Sequence, residues 1–294
     1  RVVCAGCGHA IHSEYGVIPQ NLMASLPDSV DFESGAFSTL GAIALNGIRL
    51  AQVQVGENVA VIGLGLLGLI TAKLVTAAGC AVFATDINET RVLFAKKIGI
   101  PAILRKDAGK LGLAFTQGHG FDAVLICADT PSSDTVRLAG EIARDRGHVI
   151  SLGVVGINLP RKPYYEKELF FQVSRSSGPG RYDKKYEEEG IDYPLGYIRW
   201  SEGRNLQAFV QLVAAGKLEV KDLITHRFPI EKAAEAYDLI TGKKPEPFLG
   251  VLITYNPAKE EQSTKVAIES KKTASTEEIV LGVLGAGNYA QAVF

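Results

Sequence analysis

The chain has 294 residues, of which 47% are hydrophobic and 21% charged, an ordinary composition for a globular protein with a sizeable core. Its formal net charge of −1 gives no electrostatic reason to bind nucleic acid or an acidic membrane surface. Its apolar runs fall short of the roughly 18 residues that a membrane span requires. We therefore expect neither a nucleic-acid nor a membrane partner.

The first 36 residues alternate loosely in hydrophobicity and carry turn signals, which predicts short strands and loops. Residues 34–52 are rich in Ala and Leu and favour helix. From Val59, short apolar runs alternate with helical stretches of about 10–15 residues, a pattern typical of a parallel sheet with helices on both faces. The predicted strands are 59–62, 81–85, 102–104, 122–127, 148–152 and 169–174, and the predicted helices are 66–78, 89–97, 132–144 and 201–215. Cys80 and Cys127 lie in apolar segments, which predicts buried free thiols in a reducing cytoplasm.

The second half of the chain changes character twice. Residues 176–200 are rich in Gly, Tyr and charged residues, which predicts a long functional loop. Residues 226–255 predict a strand, a helix and a last strand. Residues 257–278 have few large apolar side chains and many Lys, Glu, Ser and Thr, which predicts a solvated linker.

After this linker, residues 279–284 predict a new buried strand, and Gly285-Ala-Gly287 follows it. This organisation repeats that of residues 59–68 and predicts the start of a second βα unit. The chain begins at Arg1 inside a strand-like run and ends inside an apolar run, so we expect both ends to be cut from a longer protein.

Gly63-Leu-Gly65-Leu-Leu-Gly68 is a G-x-G-x-x-G sequence, a weak signal alone in a chain with 31 glycines. Its context strengthens it, because a predicted strand precedes it and an apolar helix opens at Leu66. The next predicted strand ends just before Asp86, which lies 18 residues (86 − 68) after the third glycine. An acidic residue at about this distance binds the ribose in dinucleotide-binding folds. A glycine-rich turn in another α/β fold is the alternative.

The three glycines have separate steric tasks in such a site. Gly63 permits the tight turn, Gly65 lets the backbone approach the pyrophosphate, and Gly68 lets the helix pack closely on the strand. The first helical residues, Leu66 and Leu67, offer free N–H groups and a partial positive charge to the phosphates. The sequence therefore predicts a dinucleotide site opening on this helix.

The choice of nucleotide depends on Asp86. Its carboxylate accepts hydrogen bonds from the ribose hydroxyls and repels a 2′-phosphate, so we expect NAD(H) as the cofactor. Arg91 either stacks over the adenine or belongs to a solvated helix face. Because ligands lie beyond the carboxyl ends of parallel strands, residues that follow two further strands are expected to flank the adenosine and the nicotinamide. These residues are Ala128, after one strand, and Leu152, Gly153 and Val154, at the end of the next.

Four further blocks carry a resemblance to a known family. They are Gly8-His-Ala-Ile-His-Ser-Glu-Tyr, Leu26-Pro-Asp-Ser-Val, the run from Phe37 to Leu45, and Ile224-Thr-His-Arg-Phe-Pro-Ile-Glu-Lys-Ala-Ala-Glu-Ala-Tyr. Together with the glycine motif, and in this order, they resemble the medium-chain dehydrogenase/reductase superfamily of alcohol-dehydrogenase-like proteins. The resemblance implies an NAD-binding Rossmann domain and a GroES-like catalytic domain, with the substrate between them.

The same resemblance divides the chain. It implies the end of a GroES-like catalytic segment at 1–37, an NAD-binding Rossmann domain at 38–176, a return to the catalytic domain at 177–256, a linker at 257–278 and the start of a second Rossmann domain at 279–294. The last segment resembles the glucose-fructose oxidoreductase type of Rossmann domain. Such a pairing resembles bi-domain oxidoreductases associated with surface-polysaccharide synthesis, which suggests sugar-like substrates. Because the larger part of the catalytic domain would precede Arg1, we expect this chain to be inactive alone.

Zinc-bearing members of the family hold the metal through Cys, His or Glu, and Cys, and the only one of those positions within this chain falls on Ser38. A serine hydroxyl is a poor zinc ligand beside a thiolate, so we expect no metal. Ser38 and Thr39 are candidates for contact with substrate or nicotinamide, or else they cap the following helix. Cys4-x-x-Cys7 lacks a second such pair and is interpreted as strand and turn.

Two functions from different classes follow. The first is an NAD(H)-dependent oxidoreductase that transfers hydride between the nicotinamide and an alcohol or carbonyl group of a small, sugar-like substrate. The second is a nucleotide-binding module for sensing or channelling that serves a C-terminal oxidoreductase domain. Tyrosines in 176–200 either line the substrate cleft or pack as a lid. In either case we expect a homo-oligomer.

Overall fold

The computed structural model describes residues 1–6, 8–13 and 15–256. Contacts divide the chain into two units, Arg1–Thr254 and Tyr255–Phe294. The predicted linker at 257–278 and the predicted second βα unit at 279–294 lie outside the described residues, as does Cys7.

The first unit contains ten strands and ten α-helices among its described residues. In chain order they are β1 (Val2–Cys4), β2 (Met23–Ser25), α1 (Phe32–Gly35), α2 (Ser38–Leu50), β3 (Asn58–Ile62), α3 (Leu66–Ala77), β4 (Ala81–Asp86), α4 (Glu89–Lys97), β5 (Ala102–Leu104), α5 (Arg105–Phe115), β6 (Phe121–Ile126), α6 (Asp134–Ile142), β7 (Ala143–Ser151), α7 (Arg161–Glu166), β8 (Phe170–Val173), α8 (Lys184–Glu187), α9 (Glu202–Ala214), β9 (Ile224–Pro229), α10 (Ala233–Ile240) and β10 (Gly250–Thr254).

Strands β3 to β8 form one six-stranded sheet in the order β5-β4-β3-β6-β7-β8, and every pairing in it is parallel. The chain proceeds outwards from β3 to β5 and then returns to place β6 on the other side of β3. The predicted doubly wound Rossmann sheet is thus confirmed. The order reverses between β3 and β6, and in open α/β sheets ligands bind beside the carboxyl ends of the strands at such a point.

The sheet is buried on both faces, as a parallel sheet with helices on each side requires. Along β3, Val59 and Val61 belong to one core cluster, which includes residues of α2, α3 and α4. Between them on the strand, Ala60 and Ile62 belong to a second cluster, which includes residues of α5 and α6. Successive side chains of a strand point to opposite faces, so this alternation is the direct result of the pleat.

Helix α2 lies very close to its neighbours because it carries glycine at two contact positions. A Cβ atom at Gly41 would lie 1.9 Å from the ring of Phe209 in α9. A Cβ atom at Gly47 would lie 2.4 Å from Cδ2 of Leu152, just beyond β7. The predicted helix at 34–52 is in fact two helices, since α1 ends at Gly35 and α2 begins at Ser38.

The sequence predicted no helix between β5 and β6, where the structure has α5. Its sequence contains two glycines, Gly109 and Gly112, which have low helix propensity, and this concealed the helical period. Gly112 allows the close approach of Phe121, because a Cβ atom there would lie 3.1 Å from that ring. Packing against the sheet therefore stabilises a helix that the local sequence does not favour.

The carboxyl end of α6 is capped by the side chain of a lysine. Lys167 Nζ donates to the carbonyl oxygens of Gly140, Glu141 and Ala143 at 3.0, 2.8 and 2.7 Å. The last carbonyls of a helix have no partner within the helix, so a positive charge placed there satisfies them. Burial lowers the pKa of this ammonium group.

Replacing Lys167 by Met should lower the free energy of unfolding by about 1–3 kcal/mol, because three carbonyl acceptors, two of them in partly buried bonds, lose their donor. Lys162→Met provides the control, since Lys162 is exposed on α7 and should change stability by no more than about 0.5 kcal/mol. Urea unfolding of both variants measures the difference. Equal unfolding midpoints in urea for the two variants would show that capping by Lys167 does not stabilise α6.

Candidate functional site

The turn after β3 is fixed by contacts that exclude side chains. Gly63 has φ 98°, and its N–H donates to Thr85 O at 2.8 Å. A Cβ atom at Gly63 would lie 2.7 Å from the backbone nitrogen of Ala128, and a Cβ atom at Gly68 would lie 1.8 Å from Gly63 O. The two glycines therefore let α3 pack against the end of β3 and bring that end against the end of β6.

Gly65 differs from these two glycines because a Cβ atom there would have no heavy atom within 4 Å. It is the N-cap residue of α3, with φ −68° and ψ −176°, and no side chain caps the helix. The first backbone amides of a helix have no intrahelical acceptor, so those of Leu66 and Leu67 face this open space with the positive end of the helix dipole. This arrangement suits a phosphate group.

Asp86 ends β4 and is held by backbone donors. Its Oδ2 accepts from Leu64 N at 2.6 Å, and its Oδ1 accepts from Asn88 N at 2.8 Å. The residue is only 6% exposed. A carboxylate has about four acceptor positions, and these bonds use two of them. The remaining positions are available to hydroxyl donors.

Arg91 takes a position that the sequence did not anticipate. Its Nη1 lies 3.8 Å from Asp86 Oδ2, and its side chain is 49% exposed. The arginine therefore balances the charge of the buried carboxylate instead of standing free on the helix surface. Whether it also contacts an adenine ring stays a prediction.

The other predicted cofactor-binding residues converge on the same edge of the sheet. The N–H groups of Leu152 and Gly153 both donate to Ile126 O, at 2.8 and 2.9 Å. A Cβ atom at Gly153 would lie 2.0 Å from Ala128 O, so these two backbone segments touch. Val154 follows with 77% of its surface exposed. The ends of β3, β6 and β7 thus lie side by side, as the sequence predicted.

A cleft next to Asp86 was not found from the sequence. It has a volume of about 430 Å³ and is lined by Ile87, Leu104, Arg105, Lys106, Asp134 and Arg137. Arg105 Nε and Nη2 donate to Asp134 at 2.7 and 2.9 Å, and Arg137 also bonds this carboxylate. Burial, which by itself raises the pKa of Asp134, is outweighed by the two arginines, so the pKa is lowered. The position of Arg105 directly after β5 was the available signal, because strand ends line such clefts.

Ser38 and Thr39 are the first two residues of α2. Ser38 is 1% exposed, and its Oγ donates to Gly35 O at 2.7 Å. The hydroxyl therefore links α2 to the end of α1, while Thr39 is partly exposed. Among the described residues, no three His, Cys, Asp or Glu side chains are grouped so as to hold a metal ion.

The predicted loop at 176–200 contains α8 and packs two of its four tyrosines, Tyr186 and Tyr193, while Tyr182 and Tyr197 are exposed. Tyr186 is 1% exposed, and its hydroxyl donates to Ser201 Oγ and accepts from Gly203 N, both at 3.0 Å. Tyr193 stacks on Tyr186, with ring centroids 5.2 Å apart, and donates to Asp183. Burial and Asp183 raise the pKa of Tyr193 to about 12. These contacts favour the interpretation of a packed lid.

A buried polar network joins this lid to α2 and α9. Asn205 is fully buried, and its Nδ2 donates to Ser177 O at 2.7 Å. Ser177 Oγ donates to Glu202 Oε1 at 2.6 Å, and burial raises the pKa of Glu202. Asn46 Nδ2 donates to Ser174 Oγ at 2.9 Å, directly after β8. The lid is therefore attached beside the carboxyl end of the last sheet strand.

Comparison with known proteins places this geometry in context. Residues 66–191 match the family model described as zinc-binding dehydrogenase. Probable D-xylulose reductase A of Aspergillus clavatus is 28% identical over 242 residues, which cover 79% of this chain and 60% of that protein. Sorbitol dehydrogenase of Homo sapiens is 27% identical over 225 residues, which cover 72% of this chain and 54% of that protein.

Among solved structures, alcohol dehydrogenase TADH from Thermus sp. ATN1 matches with a TM-score of 0.64 and 23% identity, over 80% of this chain and 63% of that one. The sheet order and the structural match show a Rossmann-type α/β fold, and the chain is similar to zinc-binding, alcohol-dehydrogenase-like proteins. It spans about 60% of the length of the curated relatives it matches. Across the part of the chain that the structure describes, no helix is both long and apolar enough to cross a bilayer.

The two outer glycines of the motif and the central one should respond differently to a methyl group. Gly68→Ala should lower the free energy of unfolding by about 3 kcal/mol, because the new Cβ would lie 1.8 Å from a backbone oxygen. Gly65→Ala is the matched control, with open space and an ordinary φ, and should stay within about 0.5 kcal/mol of the unaltered chain. Chemical unfolding followed by circular dichroism compares them. Similar losses of stability in both variants would contradict the close contact between Gly68 and the carbonyl oxygen of Gly63.

Proposed function

We propose that this chain binds NAD(H) at the ends of β3, β4, β6 and β7 and serves hydride transfer between the nicotinamide and an alcohol or carbonyl group. The observation that carries the proposal is the buried Asp86 carboxylate, fixed by the amide of Leu64 from within the glycine motif. A carboxylate so placed belongs to the nucleotide site itself, since the turn that would receive the pyrophosphate also orients it. NAD(H), when bound, supplies or accepts the hydride.

Different residues at the carboxyl ends of these strands suit different parts of the cofactor. The open space at Gly65 and the amides of Leu66 and Leu67 suit the pyrophosphate. The free acceptor positions of Asp86 suit the ribose hydroxyls. At the other end, Gly153 and Val154 would flank the nicotinamide. The close approach of Gly63 to Ala128, which no side chain obstructs, holds the ends of β3 and β6 at a fixed distance.

The substrate class rests on the relatives. The names D-xylulose reductase and sorbitol dehydrogenase denote activity on polyols and sugars. We therefore propose a small, sugar-like or polyol substrate for the whole protein, which we also expect to be a homo-oligomer. The identity of the second Rossmann domain and the domain boundaries given above belong to the same proposal.

A nucleotide-binding module without chemistry of its own remains the second candidate. It is favoured by Ser38, because the hydroxyl that stands at the zinc-ligand position is buried and bonded to Gly35 O. A catalytic metal does not fit this residue, so no step of the reaction is assigned to one. Thr39 remains the candidate for contact with substrate or nicotinamide.

We expect NADH to bind at least about tenfold more tightly than NADPH, a difference of about 1.4 kcal/mol, because Asp86 would repel the 2′-phosphate. Asp86→Asn keeps the shape and one acceptor but removes the charge, so the preference should shrink severalfold. Asp145→Ala, an exposed acid near the amino end of β7, is the control and should leave both affinities unchanged. Titration followed by nicotinamide fluorescence measures all four constants.

Tighter binding of NADPH by the unaltered chain would disprove the assignment of Asp86. Equal loss of NADH binding in the Asp86→Asn and Asp145→Ala variants would show that the charge acts at long range and not through the ribose.

The purified chain should hold well below one zinc ion per molecule when it is prepared without chelators. The reason is Ser38, whose hydroxyl is a poor zinc ligand and already bonds a backbone oxygen. Elemental analysis by mass spectrometry provides the measurement, with a buffer blank as control. One tightly held zinc per chain would overturn the argument and direct attention to Cys4, Cys7 and His9.

A further inference from the structure

Trp200, the single tryptophan of the chain, lies between two arginines. The guanidinium carbon of Arg49 is 3.6 Å from the centroid of the indole, and that of Arg199 is 3.8 Å from it. Two such groups cannot share one face at these distances without overlapping, so they stack on opposite faces. Arg49 comes from the last turn of α2, and Arg199 comes from the lid segment before α9.

Neither arginine is neutralised. Within the described part of the chain, no carboxylate forms an ion pair with Arg49 or Arg199, and Arg49 Nη1 donates only to the neutral Asn205 Oδ1, at 2.5 Å. Burial and the charge of Arg199 lower the pKa of Arg49 to about 10. Two nearby arginines differ, because Arg181 of the lid pairs with Glu187 and Arg204 of α9 pairs with Asp192, each at 2.6 Å.

Stacking on an aromatic ring explains why one arginine lies there, but it does not explain a second. Two like charges held on the two faces of one indole repel each other, and an anion at the ring edge, near both guanidiniums, would offset that repulsion. The indole N–H adds a third donor, because it donates to no residue that the structure describes. The set offers two planar guanidinium forks and one N–H group, and guanidinium forks match phosphate and carboxylate oxygens.

We propose that Arg49, Arg199 and Trp200 form a binding site for the anionic group of a small ligand, either a phosphate or a carboxylate. The site shares no residue with the glycine motif or with Asp86, so it goes beyond the nucleotide function and does not depend on it. An anion there neutralises both arginines at the junction of α2 and the lid. It therefore adds to the hydrogen bond of Asn46 with Ser176 a second link between α2 and the lid.

The test uses the full chain labelled with ¹⁵N, in which the single tryptophan gives one indole N–H resonance. Sodium phosphate and sodium acetate are titrated separately, with sodium chloride added to hold the ionic strength constant. We expect a saturable shift of the indole resonance with at least one of the two anions, and the comparison shows which group the site takes. Arg199→Gln should weaken that binding about tenfold or more, since it removes one charged donor.

Arg161→Gln is the matched control, because Arg161 also stacks on an exposed ring, that of Tyr165, at 4.8 Å. It should leave the titration unchanged. Arg199 is exposed and forms no hydrogen bond with a described residue, so its replacement should leave the fold intact, and the remaining amide spectrum verifies this. A shift that stays linear for both anions, or a saturable shift that Arg199→Gln leaves intact, would overturn the proposal.

Discussion

A methyl group on residue 68 would lie 1.8 Å from the carbonyl oxygen of Gly63. The edge of the sheet where we propose that the nucleotide binds depends on the absence of this methyl group. Because Gly68 has no side chain, α3 begins directly beyond β3, with its first amides aimed into open space. The same close approach brings Gly63 against Ala128 and places Leu64 N within 2.6 Å of Asp86. The first amides of α3 and the Asp86 carboxylate, which we propose bind the phosphates and the ribose, are thus positioned by one steric constraint, not by separate contacts.

The lid depends on a different kind of interaction. It is attached by hydrogen bonds between polar groups that are far apart in sequence, such as Asn46 with Ser176 and Asn205 with Ser177. Each of these groups would carry a desolvation cost if it lost its partner, so the network is stable only as a whole. Glu202 fits this description, because one of its carboxylate oxygens bonds Ser177 and the other is buried without a partner among the described residues.

The arrangement of groups at the proposed nucleotide-binding edge of the sheet was predictable from the sequence, because the residues that determine it are close together in the chain. A strand, a glycine turn, a helix and an acid follow one another within about thirty residues, and each leaves a pattern that the next confirms. The bond between Ser38 and Gly35, the pairing of Arg91 with Asp86 and the cleft at Arg105 were not predictable, because side-chain orientation decides them. Helix α5 was missed for a related reason: its two glycines oppose local helix formation, although one of them, Gly112, suits packing against Phe121.

The contact between Gly47 and Leu152 fixes how closely α2 packs against the end of β7. Leu152 belongs to the edge expected to flank the nicotinamide, and its side chain fills the space that a Cβ atom on Gly47 would take. The same helix carries Thr39 at its first turn, Asn46 against the lid and Arg49 against Trp200. A larger residue at position 47 would push α2 away from the end of β7 and would displace these three side chains with it.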